Sequence, residues 1–134
     1  MNDELKQVMA KAQEWLDGNY DEETKAQVRA MMEADDKTEL IESFYRTLEF
    51  GTGGLRGIMG PGCNRMNKYI VAQATQGYAN YLLKVQKENG YKNPVEQVSV
   101  VVGHDCRNNG RMFAETVAAV FSANGIKVYL FESL

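Results

Sequence analysis

One glycine-rich segment of the sequence combines bare backbone with a single fixed positive charge. Residues 50–57 read FGTGGLRG, so four of the eight residues are glycine and Arg56 lies among them. Glycine lets backbone N–H groups approach a phosphate closely, and a planar guanidinium adds a bidentate charged contact. These residue types are those of an anion-binding loop. On composition alone, a structural turn is an equally good interpretation.

The same segment does not match the two common nucleotide-binding motifs. No Gly-Lys-Ser/Thr follows it, so it is not a Walker A loop. Counted from Gly51 and Gly53, the third glycine of the dinucleotide fingerprint would fall at position 56, which is Arg56. Nucleotide binding therefore has little support.

A second polar cluster follows the valine-rich segment 98–102. It reads GHDCRNN and contains Asp105 and Arg107. Because ligands of α/β sheets gather beyond the carboxyl ends of the strands, both side chains are candidates for a binding site. The alternative is an ion pair that braces the loop. Arg65, in the segment CNRMN, is a third candidate base, and a loop brace is an equally good interpretation for it.

The first part of the chain, residues 1–45, predicts three helices that pack or face solvent. Apolar residues at helical spacing over 5–16 predict the first helix, and Gly18 ends it. Acidic residues in the first turn predict the second helix. Asp36 with Glu39 three residues later resembles a capping box for the third helix.

The pattern then changes, because residues 48–66 are too rich in glycine to form a helix. A long helix is expected over 68–89. Asn67 could cap this helix. Its predicted apolar face consists of Ile70, Val71, Ala74, Tyr78, Tyr81, Leu82 and Val85.

The last third of the chain predicts a βαβ unit. Segment 98–102 is almost wholly β-branched, which is typical of a parallel strand covered on both faces. A helix over 111–123, closed by Asn124 and Gly125, and a strand over 126–131 follow. Such a unit is right-handed in nearly all proteins. The fold class is therefore α/β, with an incomplete mixed or parallel sheet, because two or three strands alone leave an open edge.

Composition and charge bound the remaining possibilities. The chain has 134 residues, enough for one domain with a core and hardly enough for two. Residues 1–50 hold thirteen acids and six bases, whereas residues 51–134 hold five acids and nine bases. The acidic part argues against a nucleic-acid surface, and the basic part suits an anionic small molecule.

The sequence also indicates the cellular compartment and argues against a metal site. No apolar run is long enough to span a bilayer, and the N-terminus lacks the order of a signal peptide. Cys63 and Cys106 lie far apart, which favours two free thiols in a reducing cytoplasm over a disulfide. His104 is the only histidine and has no Cys or His partner near it in sequence.

Four segments together resemble a known family. FGTGGLRG, then GPGCNRMN and ATQGYANYL, then VVVGHDCRNN resemble, in this order, the N-terminal domain of the α-D-phosphohexomutases. The similarity is greatest to the phosphoglucomutase/phosphomannomutase branch and covers about residues 45–134. We therefore expect a helical N-terminal extension over 1–45. Residues 46–134 are expected to form part of phosphohexomutase domain I, truncated before the catalytic serine loop.

The resemblance implies a cytoplasmic enzyme that moves a phosphoryl group between C1 and C6 of a hexose phosphate. A phosphoserine would give its phosphoryl group to the sugar, and the hexose 1,6-bisphosphate would reorient and return the other one. Mg²⁺ would lie between the phosphoserine and aspartates of the next domain. The expected partners are the hexose phosphate and the remaining domains of the same polypeptide, with no nucleic acid and no membrane.

The resemblance also assigns site residues. Arg56 would stabilise the transferring phosphoryl group, and Asp105 and Arg107 match the family's Asp-x-Arg, which we expect to support the active-site loops together with Arg65. Gly110 departs from the serine that is usual there. The expected phosphate-binding residues are Thr52, Gly53, Gly54, Leu55 and Gly57.

Two functional loops of the family do not occur in this sequence. They are the serine loop, similar to Thr-Ala-Ser-His-Asn-Pro, and the magnesium loop, similar to Asp-Gly-Asp-x-Asp-Arg. We therefore expect an N-terminal fragment that is inactive alone and supplies no metal ligand. The alternatives are a non-catalytic α/β module that binds a sugar phosphate or another anion, and a structural domain whose glycine loop merely turns.

Overall fold

The computed structural model of the protein describes residues 2–51, 54–88, 98–105 and 109–131. The chain divides into two compact units, residues 1–67 and residues 68–134. No helix among the described residues is long and apolar enough to cross a membrane.

Three helices account for most of the first unit, as the sequence predicts. They are α1 (Asp3–Asp17), α2 (Glu22–Glu33) and α3 (Thr38–Phe44). Asn2 Oδ1 accepts a hydrogen bond from the Leu5 N–H at 2.8 Å and caps α1. Asp21 Oδ1 accepts one from the Thr24 N–H at 2.7 Å and caps α2. Each cap satisfies an N–H group that has no partner within its helix.

Gly18 ends α1 as predicted, but the reason is close packing rather than a left-handed backbone, because its φ is −85°. A Cβ at this position would lie 2.7 Å from the ring of Tyr20 and 3.0 Å from the Glu14 carbonyl oxygen. The Tyr20 ring in turn stacks on Trp15, with ring centroids 4.2 Å apart. Only glycine leaves room for this turn.

The core of the first unit lies between the three helices. Trp15 meets Phe44 edge to face, with ring centroids 5.7 Å apart. Such aromatic pairs stabilise by roughly 0.5–1.5 kcal/mol beyond the burial of their surfaces. The other buried apolar residues of these helices are Val8, Ala12, Val28, Met31 and Leu40.

The predicted capping box at Asp36 and Glu39 is wrong in its register. α3 begins at Thr38, and Lys37 occupies the cap position without a side-chain cap bond. Asp36 Oδ1 instead accepts hydrogen bonds from the Thr38 hydroxyl at 2.6 Å and from the Thr38 N–H at 3.0 Å. A carboxylate can satisfy a backbone N–H two residues on before a helix starts, and this local bond competes with the cap.

The second unit contains the predicted βαβ arrangement. Its elements are α4 (Lys68–Glu88), β3 (Ser99–Val102), α5 (Gly110–Ala123) and β4 (Lys127–Leu130). β3 and β4 are parallel neighbours, with Val100 opposite Val128 and Val102 opposite Leu130. α4 packs against α5, and α5 packs against both strands. The buried centre of this unit consists of Ala79, Val102, Ala114, Phe121 and Ile126.

The end of α5 confirms the prediction made from Asn124 and Gly125. Gly125 has φ +75°, and its N–H donates to the Ser122 carbonyl at 3.0 Å. The Ile126 N–H donates to the Phe121 carbonyl at 3.1 Å. These two bonds form a Schellman motif, in which a left-handed glycine stops the helix. Phe121 and Ile126 belong to one buried cluster, so the motif also turns the chain into β4.

Two faces that were expected to be buried are only partly buried in the described chain. Val101 is 65% exposed and Phe131 58% exposed, so one face of the β3–β4 sheet is open rather than covered. On α4, Tyr78 and Tyr81 are exposed, whereas Thr75 and Ala79 are buried. Tyrosine combines an apolar ring with a polar tip and is stable at a surface, so the spacing placed the two tyrosines wrongly. Ile70 and Val71 of the same predicted face are buried, as expected.

Candidate functional site

The glycine-rich segment forms a narrow hairpin in the first unit. β1 (Phe50–Gly51) pairs antiparallel with β2 (Gly54–Leu55), and Gly51 lies opposite Gly54. Gly54 has φ +109°, a conformation that L side chains rarely adopt. Nothing lies within 4 Å of the position that a Cβ of Gly54 would take. This backbone is therefore open to the approach of a ligand.

Arg56 follows β2 directly, and its side chain is exposed. Among the described residues, no carboxylate forms an ion pair with Arg56. The ion pairs found there involve Arg65, Lys84 and Arg111. The predicted loop residues Thr52 and Gly53 lie outside the described residues. The structure thus places Gly54 and Leu55 in β2 and the exposed Arg56 directly after this strand.

The backbone after Arg56 is fixed to the rest of the first unit. A Cβ on Gly57 would lie 3.0 Å from two methyl carbons of Leu48. The Leu48 N–H donates to the Cys63 carbonyl at 2.8 Å, and the Met66 N–H donates to the Ile58 carbonyl at 2.8 Å. These contacts hold the backbone that follows Arg56 in place.

Residues 58–67, here called the anchor loop, tie this segment to the end of α3. The Asn64 side chain is buried, and its Nδ2 donates to the Glu42 carbonyl at 2.9 Å. Arg46 Nε donates to Asn64 Oδ1 at 3.3 Å. Gly62 passes so close to Ser43 that a Cβ would lie 2.5 Å from its carbonyl oxygen.

Arg65 has the geometry of a brace. Its Nη2 lies 3.6 Å from Glu42 Oε2, and the Arg65 side chain is only 11% exposed. A guanidinium that is already paired and largely enclosed is less available to a ligand than an exposed one. Of the two interpretations left open by the sequence, this contact favours the structural one, and its support of the active-site loops stays a prediction.

Cys63 lies in the same loop and is a free thiol. Its Sγ lies 3.2 Å from the Arg46 carbonyl oxygen and 3.7 Å from that of Phe44. Burial raises the pKa of the Cys63 thiol above its ordinary value. The thiol is therefore protonated at neutral pH and packs as a small apolar group. Cys106 lies outside the described residues.

The second polar cluster lies at the carboxyl end of β3, in the second unit. Asp105 is exposed, and Arg107 lies outside the described residues. The Phe131 N–H donates to the Val102 carbonyl at 3.0 Å, so the exits of β3 and β4 are joined side by side. The structure thus places Asp105 at a strand end, as the sequence predicts, and its supporting role stays a prediction.

Glycine has a local function at position 110. A Cβ on Gly110, which begins α5, would lie 3.0 Å from the Asp105 carbonyl oxygen. Asn109 just before it has φ +65° and makes no side-chain cap bond. The loop after β3 therefore approaches the start of α5 more closely than a serine at position 110 would easily allow.

His104 was considered in the sequence only as a metal ligand. Its Nδ1 lies 3.2 Å from the Asp105 carbonyl oxygen, and its Nε2 is buried with no hydrogen-bond partner among the described residues. In the described part of the chain, no group of three or more His, Cys, Asp or Glu side chains could hold a metal ion. The expectation that the Mg²⁺ ligands lie outside this chain stays a prediction.

Sequence reasoning missed the residues that hold the anchor loop. The side-chain Nδ2 atoms of Asn64 and Asn67 donate to backbone carbonyl groups, and neither hydrophobic spacing nor a helix-cap pattern identifies such partners. The one available signal was the composition of GPGCNRMN, since an asparagine in a glycine-rich segment often satisfies backbone groups.

A family model assigns most of the chain to a protein family. The model described as "Phosphoglucomutase/phosphomannomutase, alpha/beta/alpha domain I" matches residues 47–134. The chain belongs to the phosphoglucomutase/phosphomannomutase family, and the matched part is its first domain. The predicted boundary between residues 45 and 46 stays a prediction.

Curated relatives agree with this class. The chain is 38% identical over 121 residues to a probable phosphoribomutase of Schizosaccharomyces pombe, covering 90% of this chain and 20% of the relative. It is 35% identical over 127 residues to the phosphopentomutase of Homo sapiens, with the same coverage of each chain. It is 35% identical over 124 residues to the phosphomannomutase of Mycoplasma pneumoniae, covering 91% of this chain and 21% of the relative.

The chain therefore spans about a fifth of the length of the curated relatives that it matches. A search of the solved structures finds no significant match.

Proposed function

We propose that the intact protein is an intramolecular phosphotransferase that moves a phosphoryl group between C1 and C6 of a hexose phosphate. The observation that carries this proposal is an exposed arginine at the end of a glycine hairpin, in a chain of the phosphomutase family. The phosphoryl group would pass through a phosphoserine outside this chain. We expect the enzyme to work in the cytoplasm.

In this proposal, the chain neutralises the negative charge of the transferring phosphoryl group. Phosphoryl transfer requires little covalent work from the protein, and most of the rate comes from positioning and from stabilising negative charge. Arg56 would hold two oxygens of the phosphoryl group through its planar fork. Backbone N–H groups of the hairpin would approach the same group, because Gly54 leaves the space beside it empty. Thr52 and Gly53 would take part as neighbours in the same loop.

The remaining predicted residues have supporting roles in this proposal. Gly57 packs on Leu48 and fixes the backbone after Arg56. Asp105 and Arg107 would shape the loop after β3. Mg²⁺ would supply further neutralisation in the intact enzyme, and no residue of this chain is assigned to it.

A pentose phosphate is the second candidate substrate. The relatives at 38% and 35% identity carry the names phosphoribomutase and phosphopentomutase, while a phosphomannomutase is also 35% identical. Similar identities to both groups do not separate a five-carbon from a six-carbon sugar. In either case the same arginine would meet the transferring phosphoryl group, which the two reactions share.

The test is turnover of the purified intact protein on a panel of sugars. Glucose 1-phosphate, mannose 1-phosphate and ribose 1-phosphate are each supplied with Mg²⁺ and the matching bisphosphate activator. We expect isomerisation, with the highest kcat/KM on a hexose phosphate. A higher kcat/KM on ribose 1-phosphate would transfer the proposal to the pentose. No turnover on any of the three would favour the non-catalytic sugar-phosphate-binding module instead.

A further inference from the structure

The anchor loop returns to a single side chain at its end. Asn67 Nδ2 donates to the Gly60 carbonyl at 2.9 Å and to the Gly62 carbonyl at 3.0 Å. It also lies 3.5 Å from the Arg65 carbonyl oxygen. One carboxamide therefore gathers carbonyl groups from the beginning, the middle and the end of the loop.

The two glycines put the backbone in a conformation whose carbonyl groups need hydrogen-bond donors from elsewhere. Gly60 has φ +154° and Gly62 has φ +121°, so the loop has the backbone of neither a helix nor a strand at these positions. Carbonyl groups in irregular, partly buried backbone need donors from elsewhere, and an asparagine amide offers two. Asn67 supplies both in a fixed geometry.

The loop held in this way is the one that leaves Arg56. Two residues after Arg56, the Ile58 carbonyl accepts from the Met66 N–H at 2.8 Å, and the Gly60 N–H donates to the Met66 carbonyl at 3.1 Å. Met66 precedes Asn67 directly. Asn67, which donates to the carbonyl groups of the two glycines, is thus adjacent to Met66. Met66 in turn pairs with the backbone that follows Arg56.

We infer that Asn67 is a positioning residue for Arg56, which acts by holding the anchor loop and so the backbone that sets the place of the guanidinium. This inference rests on the proposed function, in which Arg56 meets the transferring phosphoryl group. A misplacement of about 1 Å at a reacting group can lower a rate by about 100-fold, so a loosened loop costs activity even when the fold survives.

The test compares Asn67→Ser with wild type in the intact protein. Serine caps a helix about as well as asparagine, so the α4 cap that the sequence predicts at position 67 would be kept while the double donor is lost. We expect kcat to fall by about 10- to 100-fold with a smaller change in KM. Asn80→Ala is the matched control, because Asn80 is an exposed asparagine of α4 whose Oδ1 accepts a hydrogen bond from Gln76 Nε2. It should keep wild-type kinetics.

A double-mutant cycle separates positioning from general loss of structure. Asn67→Ser, Arg56→Lys and the double variant are assayed for kcat/KM. If Asn67 acts through Arg56, the double variant is no worse than Arg56→Lys alone. If the two losses multiply, or if Asn67→Ser stays within twofold of wild type, the inference is overturned.

Two further outcomes are distinguishable. If Asn67→Ser does not fold, Asn67→Asp is used, since it keeps the shape and the cap acceptor and loses both donors; failure of both variants to fold would assign Asn67 to folding and overturn the inference. If the wild-type protein shows no turnover in the same assay, the proposed function fails first. Wild-type turnover with unchanged Asn67 variants overturns the positioning role alone.

Discussion

At the scale of single residues, the first unit depends on positions where no larger side chain fits. Gly62 is the sharpest case, because a Cβ there would lie 2.5 Å from the Ser43 carbonyl oxygen and 2.9 Å from its Cβ. Its φ of +121° is also unfavourable for any L side chain. Space and conformation thus demand glycine independently at this point of the anchor loop.

Gly62→Ala should therefore destabilise the protein. The backbone strain alone costs about 1–3 kcal/mol, and the contact with backbone atoms adds to it. Urea unfolding measures the loss. Gly77→Ala is the control, since Gly77 lies within α4 with nothing within 4 Å of its Cβ position. Alanine there should raise the free energy of unfolding by about 0.5–1 kcal/mol. Equal stability of the two variants would contradict the geometry of the anchor loop.

Cys63 should react slowly with thiol reagents. Burial raises the pKa of its thiol, so less thiolate is present at any pH below that value. The rate of alkylation by iodoacetamide is followed by mass spectrometry between pH 7 and pH 9 in a Cys106→Ser background. We expect a rate well below that of free cysteine at each pH. A rate equal to that of the free amino acid would show that the thiol is not enclosed.

At the scale of elements, Asp36 illustrates how a local bond sets the start of a helix. The Asp36 carboxylate accepts hydrogen bonds from the hydroxyl and from the N–H of Thr38, and the hydroxyl has the larger effect on its pKa. They favour the charged form and lower the pKa of the Asp36 carboxyl. A lowered pKa in the folded state contributes stability above the unfolded pKa, and that stability is lost as the pH falls through the folded value.

Thr38→Val should raise the pKa of Asp36 toward its ordinary value, since the hydroxyl donor is the larger of the two causes. An NMR titration of the Asp36 carboxyl between pH 2 and pH 6 measures the change. Thr116→Val is the control, because the Thr116 hydroxyl donates to the Met112 carbonyl within α5 and has no part in this contact. A titration of Asp36 that is identical in Thr38→Val and wild type would contradict the assigned cause.

The helices and the parallel strands were predictable because their signals are local. The spacing of Val8, Ala12 and Trp15 identifies the buried side of α1, and Gly125 marks the end of α5 through its own φ angle. The anchor loop was not predictable in the same way. Asn64 binds a carbonyl 22 residues away in sequence, and no periodicity connects such partners.

In the candidate site, too, some features were predictable from the sequence and others were not. The types of Arg56 and Gly54 suggested an anion-binding loop, and the structure places Gly54 in β2 with open space beside it and Arg56 directly after this strand. Arg65 has the same residue type as Arg56, yet it is enclosed and paired with Glu42. Exposure depends on long-range packing, so the sequence could not separate these two arginines.

At the scale of the whole molecule, the open face of the β3–β4 sheet is the main departure from the expected α/β arrangement. Val101, Tyr129 and Phe131 are all more than half exposed on the described chain. Contiguous apolar surface of this kind promotes association in water. The chain spans about a fifth of its relatives' length, and the family model that it matches is described as an α/β/α domain.

Val101→Lys should reduce association of the 134-residue chain without unfolding it. An exposed substitution changes the free energy of unfolding by about 0.5 kcal/mol or less. Light scattering over a concentration series measures association, and urea unfolding measures stability. Val102→Lys is the matched control, because Val102 is adjacent to Val101 but buried. A lysine at position 102 should lower the free energy of unfolding by several kcal/mol, roughly the penalty of an unpaired buried charge. Equal stability of both variants would contradict the assignment of the open face.

In the proposed function, this chain supplies one charged wall of the active centre of the intact protein. The most direct test of this proposal is the kcat/KM of Arg56→Lys in the intact protein, measured beside wild type in the sugar-phosphate assay. Lysine keeps the charge and loses the planar fork, so we expect kcat/KM to fall by about 100-fold or more while the thermal midpoint stays close to wild type. Wild-type turnover in this variant would contradict the role of Arg56 in holding the phosphoryl group.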